Sequence, residues 1–208
     1  MFITLEGVEG SGKTTVAKGL IKILEDNGHD VIYTREPGGN KIAESIRNVI
    51  LDTTNTDMDA RTETLLYAAA RRQHLVDVIE PALKASKIVI CDRFIDSSIA
   101  YQGYARSIGP ELVEFINDFA IDGKRPDLTF LIDVKPEVGL ARINKDKDRE
   151  INRLDLEALD FHQQVYNGYL NLAKIEKNKD RIKIIDGERV VAGIVTDIYK
   201  IIASRLNV

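Results

Sequence analysis

A chain of 208 residues, 44% apolar and 30% charged, has the length of one α/β domain and enough apolar content to build its own core. Its charges nearly balance at net −4 and no long single-sign block occurs, which argues against nucleic acid as the main partner. A single cysteine excludes an internal disulfide; with no basic leader and no long apolar span, a soluble, cytoplasmic setting without membrane contact is expected.

In chain order, Phe2 to Leu5 reads as a short buried strand, and Thr14 to Glu25 as a helix with Val16, Leu20, Ile23 and Leu24 on one face. Between them stands Gly7-Val8-Glu9-Gly10-Ser11-Gly12-Lys13-Thr14, the G-x-x-x-x-G-K-[ST] pattern in the strand–loop–helix setting it requires. Its glycines let backbone N–H groups turn inward around an anion, and the helix N-terminus adds a favourable dipole. Lys13 supplies a point charge and Thr14 a hydroxyl for Mg²⁺. Further strands are expected at Val31–Tyr33, Ile88–Ile90, Leu128–Ile132 and Ile182–Ile185, separated by helices, which is βαβ alternation around a parallel sheet. One long helix is expected from Arg61 to Ala85 and another from about Leu156 to Ile175. Cys91 follows Ile88-Val89-Ile90 and reads as a small apolar strand residue rather than a nucleophile. The mixed-charge stretch from Asn144 to Glu150 cannot enter a core.

A phosphate loop alone does not separate an enzyme from a nucleotide-driven switch. A guanine-specific switch needs a D-x-x-G element and an N-K-x-D element. No aspartate here is followed three residues later by glycine, and Asn144-Lys145-Asp146-Lys147 and Asn178-Lys179-Asp180-Arg181 both lack the final aspartate. Arginines instead follow strands: Arg35 in Thr34-Arg35-Glu36-Pro37-Gly38-Gly39, and Arg93 in Cys91-Asp92-Arg93-Phe94. Both sit where parallel sheets place ligands. Arg47 lies on the helix after Gly38-Gly39, and Arg71 and Arg72 within the long helix; guanidinium forks suit a second phosphorylated substrate.

The run from Asp92 to Gly103, Asp-Arg-Phe-Ile-Asp-Ser-Ser-Ile-Ala-Tyr-Gln-Gly, taken with Phe2–Thr15, Thr34–Gly39, Arg61–His74, Arg125–Asp133 and Asn152–Asp155, closely resembles bacterial thymidylate kinases nearly end to end. The resemblance implies a single P-loop nucleoside monophosphate kinase domain over 1–208, an α/β fold with a five-stranded parallel sheet, and a mobile lid at about 143–154. It implies transfer of phosphate from ATP to dTMP, with Mg²⁺ as cofactor and a homodimer, through apolar faces of the helices at Glu63–Ile79 and Leu112–Phe119. By the same resemblance, Gly7 to Thr15 and Lys13 hold the donor phosphates, Thr14 and Asp92 serve the metal, and Arg93 spans the transferred group. Arg35, Pro37 and Arg47 surround the dTMP phosphate, Glu9 meets the 3′-hydroxyl, and Tyr67 stacks on thymine. Arg71 bonds a base carbonyl, Ser97, Ser98 and Gln102 line the acceptor site, and Tyr101 crowds the sugar 2′ position. Family members without an arginine in the phosphate loop carry one in the lid. Since Gly10 stands at that place here, Arg149 is the expected lid arginine, with Arg153 either its alternative or a partner of Asp155 or Glu157. Arg142 is expected against adenine, bordered by Gly187 and Glu188.

Overall fold

The computed structural model describes residues 1–145 and 152–206. Strands β1 (Phe2–Glu6), β2 (Val31–Arg35), β3 (Ile88–Asp92), β4 (Leu128–Asp133) and β5 (Ile182–Asp186) form one parallel sheet in the order β2-β3-β1-β4-β5. The three inner strands are near-continuous apolar runs because helices cover both faces, whereas the edge strands expose Tyr33 and Ile184. Side chains alternate across the sheet. Ile3, Leu5, Ile90 and Phe130 pack with Val16, Leu20 and Leu24 of α1 (Lys13–Asp26) and with Ile194 and Ile198 of α9 (Val191–Leu206). Phe2, Val89 and Cys91 pack on the opposite face against Leu75, Ile79, Phe94 and Ile121. Cys91 is the buried strand residue expected, and burial pushes its thiol well above the usual range, which keeps it protonated and inert.

The remaining helices are α2 (Lys41–Leu51), α3 (Ala60–His74), α4 (Glu80–Lys84), α5 (Ile95–Ser98), α6 (Pro110–Ile121), α7 (Pro136–Ile143) and α8 (Leu159–Lys174). The long helix expected from Arg61 to Ala85 is continuous but not uniform: α3 runs through a π-helical turn, Leu75–Ile79, into α4. Pro81 accounts for it, since its ring has no N–H to give and collides with the carbonyl four residues back, and a wider turn absorbs both. The helix expected from Leu156 begins later, at Leu159. A short 3₁₀ turn, Arg153–Leu156, precedes it, closed by Asn152 and Asp155 capping each other's backbone N–H groups.

β1 pairs with β3 on one side and β4 on the other, so the sheet's direction of winding reverses at β1. The crevice that such a reversal opens lies beyond the C-terminal strand ends, where β1 delivers Gly7, β2 delivers Arg35 and β3 delivers Asp92. No helix among the described residues is long and apolar enough to cross a membrane.

Candidate active site

A cleft of about 290 Å³ opens at that edge, walled by the loop after β1, the ends of β2 and β3, α2, α3 and the segment Ile95–Ala105. Glu9, Gly10, Lys13, Thr14, Arg35, Pro37, Arg47, Tyr67, Arg71, Asp92, Arg93, Ser97, Ser98, Tyr101 and Gln102 all line it. Residues spread over ninety positions of sequence are thus brought to one cavity. Gly7, Val8, Ser11, Gly12 and Thr15 form the rest of the loop and the first turn of α1. Arg142, on α7, reaches the Gly10 carbonyl at 3.4 Å and the Gly187 carbonyl at 3.4 Å, bridging the loops after β1 and β5. Arg149 lies outside the described residues.

The loop after β1 is closed on itself. Lys13 Nζ donates to the carbonyls of Gly7 (3.1 Å) and Val8 (3.0 Å) and to Ser11 Oγ (3.2 Å). Burial draws its ammonium down to about 8, Arg93 adds to the effect, and Asp92, Glu9 and Glu6 oppose it. Gly10 has φ 69° and touches α7 backbone to backbone. A Cβ there would stand 2.1 Å from the Gly139 carbonyl oxygen, and one on Gly139 2.2 Å from that of Glu9, so neither position admits a side chain without moving the other segment. Thr14 Oγ1 and the Tyr33 hydroxyl both donate to Asp92 Oδ2, each at 3.2 Å.

Arg93 adopts φ 69°, a strained backbone for a side-chain-bearing residue, and three contacts hold it there. Its N–H donates to Leu5 O at 3.0 Å, Cys91 Sγ donates to its carbonyl, and the next N–H, of Phe94, donates to Glu6 Oε1 at 2.7 Å. The guanidinium is thereby aimed back into the cleft, donating to Glu9 Oε1 (3.0 Å) and Tyr169 Oη (3.0 Å), 5.0 Å above the Tyr101 ring. Burial alone would raise the Glu9 carboxyl, but Arg93, His162, Lys13 and Tyr101 together hold it well below the ordinary carboxylate range. Tyr101 Oη lies 2.6 and 2.7 Å from the two Glu9 oxygens.

Across the cleft, Arg35 (3.0 Å) and Arg47 (2.8 Å) both donate to the Pro37 carbonyl, with Glu44 beside Arg35 at 3.2 Å. Two guanidiniums meeting on one neutral oxygen make a pole suited to a phosphate. Deeper in, Arg71 is 1% exposed. Its Nε donates to Glu36 Oε2 (2.7 Å), Nη1 to Ser98 Oγ (2.9 Å) and Asn117 Oδ1, and Nη2 to Phe94 O (2.9 Å). Four of its five hydrogens are committed, and one on Nη2 remains. Gln102, 1% exposed, leaves its Oε1 without a partner among the described residues.

The Thymidylate kinase family model matches residues 5–198. The chain is 60% identical over 190 residues to thymidylate kinase of Clostridium novyi, covering 91% of this chain and 92% of that one. It is 54% identical over 206 residues to that of Halalkalibacterium halodurans, covering 99% and 97%. The chain belongs to the thymidylate kinase family. The crystal structure of thymidylate kinase from Ehrlichia chaffeensis superposes with a TM-score of 0.77 at 37% identity, covering 97% of this chain and 98% of that one.

In this thymidylate kinase family member, buried groups to which the sequence reading gives no role complete the site. Glu6, fully buried, accepts from Phe94 N, Ser97 Oγ (2.5 Å) and Tyr169 Oη (3.0 Å), so it sits beneath Arg93. Glu36 joins Arg71 to His74, whose Nε2 meets Thr34 Oγ1 at 2.6 Å. A carboxylate at a strand end, as Glu6 is, carries a signal only in hindsight: charged residues are rarely fully buried unless paired. Arg153 departs from the sequence expectation. Its partner is neither Asp155 nor Glu157 but Glu63, at 2.5 Å, with Nε on Ile50 O at 2.9 Å. Glu157 is taken instead by Arg106. A guanidinium so enclosed serves the packing of this corner of the structure.

Proposed function

We propose that this chain transfers the terminal phosphoryl group of ATP to dTMP, giving dTDP and ADP, with Mg²⁺ as cofactor. The observation that carries the reading is one cleft with a phosphate loop on one wall and the Arg35–Arg47 pole on the other, ending in a base slot. Lys13 and the loop amides hold the donor phosphates, Arg35 and Arg47 the acceptor phosphate, and Arg93 lies where charge develops. Phosphoryl transfer needs little more than this positioning and charge stabilisation. The Thr14 hydroxyl and the Asp92 carboxylate are hard oxygen donors side by side, the kind that holds Mg²⁺ with few protein ligands; the chemistry it supplies when bound is neutralisation of phosphate charge.

The base slot favours thymine on hydrogen-bond grounds. Gln102 Oε1 is a buried acceptor awaiting an N–H, which thymine offers at N3, and the last Arg71 hydrogen matches the neighbouring carbonyl. Cytosine reverses both groups. Tyr67 on the cleft wall is placed to cover the ring, and Glu9 with Tyr101 borders the sugar. Arg149 is proposed as the lid arginine: Arg149→Ala should lower kcat more than it raises KM for ATP, because its contact is made in the closed state. We further propose one domain, a homodimer and a cytoplasmic location. A coupled ADP-release assay with dTMP, dUMP, dCMP and thymidine tests the function. Release that depends on dTMP supports it; release indifferent to acceptor, or none, overturns it in favour of a nucleotide-binding switch.

A further inference from the structure

Glu63 is fully buried on α3 and collects donors from three residues of two other segments. Its Oε1 accepts from Gln102 Nε2 at 2.8 Å, and its Oε2 from Arg153 Nη2 at 2.5 Å and Arg106 Nη2 at 3.3 Å. A carboxylate held between two guanidiniums has only lone pairs to offer, so the side of the Gln102 amide that faces it must be the nitrogen. The other side, Oε1, is thereby turned away from Glu63 as a buried acceptor without a partner among the described residues, on a residue that lines the cleft.

We propose that Glu63 is the positioning residue that sets base specificity: by fixing the polarity of the Gln102 amide, it makes the slot an acceptor for bases carrying N3–H and hostile to cytosine. Glutamine is by itself ambivalent, since a half-turn of its amide exchanges acceptor for donor at little cost. Glu63 removes that freedom, and Arg153 and Arg106 hold Glu63 in place. The proposal rests on the reading that the acceptor base lies against Gln102.

Glu63→Gln is the test. In that variant the single amide oxygen at 63 is drawn to the two guanidiniums and its NH₂ meets Gln102, whose amide then turns and presents a donor to the slot. The ratio of kcat/KM for dTMP over dCMP should narrow by about tenfold, the equivalent of one reversed hydrogen bond. Glu63→Asp keeps an acceptor-only group and should retain the ratio even if both rates fall. A purely structural role would lower both substrates alike, so an unchanged ratio in a folded Glu63→Gln enzyme overturns the proposal. Should that variant fail to fold, Glu63→Gln with Arg153→Met removes the unmatched buried cation, and the ratio should narrow there too; if it holds, the proposal fails. Gln102→Leu separates the two levels. If it leaves the ratio untouched, the base does not lie against Gln102 and both readings fall. If it changes the ratio while Glu63→Gln does not, only the role of Glu63 is lost.

Discussion

Tyr101 lines the cleft where the sugar is proposed to lie, and its hydroxyl donates to Glu9, the carboxylate that pairs with Arg93. Tyr101→Phe keeps the bulk and releases Glu9. It should cost about 1.5–3 kcal/mol in kcat/KM for dTMP, the range for a hydrogen bond to a charged group, while the preference for dTMP over its ribo analogue persists. Tyr101→Ala should narrow that preference, since space opens at the 2′ position; steady-state kinetics with both nucleotides decides, and an unchanged ratio in the alanine variant means another residue reads the sugar. Tyr101, Lys13 and Arg93 were legible in sequence because each belongs to a dense motif whose spacing has few other uses. Glu63 and His162 were not. Their partners lie from 39 to 153 positions away, and an acidic or imidazole side chain on a helix reads as solvated until the fold buries it.

At the scale of elements, the junction of β1, β3 and α5 turns on Glu6. Burial, then the negative charge of Asp96, raises its carboxyl to about 7 against the Ser97, Arg93 and Phe94 contacts that lower it. The folded state therefore keeps a proton that the unfolded chain surrenders near 4.5, so the stabilising contribution is complete below about 4.5 and is lost as pH rises through about 7. Glu6→Gln removes the titration. Comparing denaturant midpoints at pH 5 and pH 8, wild type should lose on the order of 2–3 kcal/mol relative to the variant over that interval, and a pH-independent difference would show that Glu6 does not titrate there. The order of the five strands followed from their apolar runs, as those at Phe2, Ile88 and Leu128 illustrate. Boundaries did not. The π-helical turn at Leu75–Ile79 and the late start of α8 depend on the Pro81 clash and the Asn152–Asp155 cap, local events that a 3.6-residue period does not record.

For the whole molecule, the faces of α3 and α6 leave Leu65, Leu112, Phe115 (72% exposed) and Phe119 (88% exposed) toward solvent. Apolar exposure of this kind suits an interface, and the homodimer proposed above would cover it. Sedimentation should find a dimer for the wild type and a folded monomer for Phe115→Asp with Phe119→Asp; a monomeric wild type at micromolar concentration would dismiss the homodimer. The contact between Gly10 and Gly139 bears on how such enzymes can change. An arginine at position 10 would need the space that the α7 backbone fills. Placing a cation in the phosphate loop at position 10 is therefore not a single substitution: α7 must retreat first, or the new side chain blocks the loop. A loop carrying a side chain at position 10 and the α7 that accommodates it must change together, and chimeras that exchange the loop without α7 should lose stability or activity at this contact.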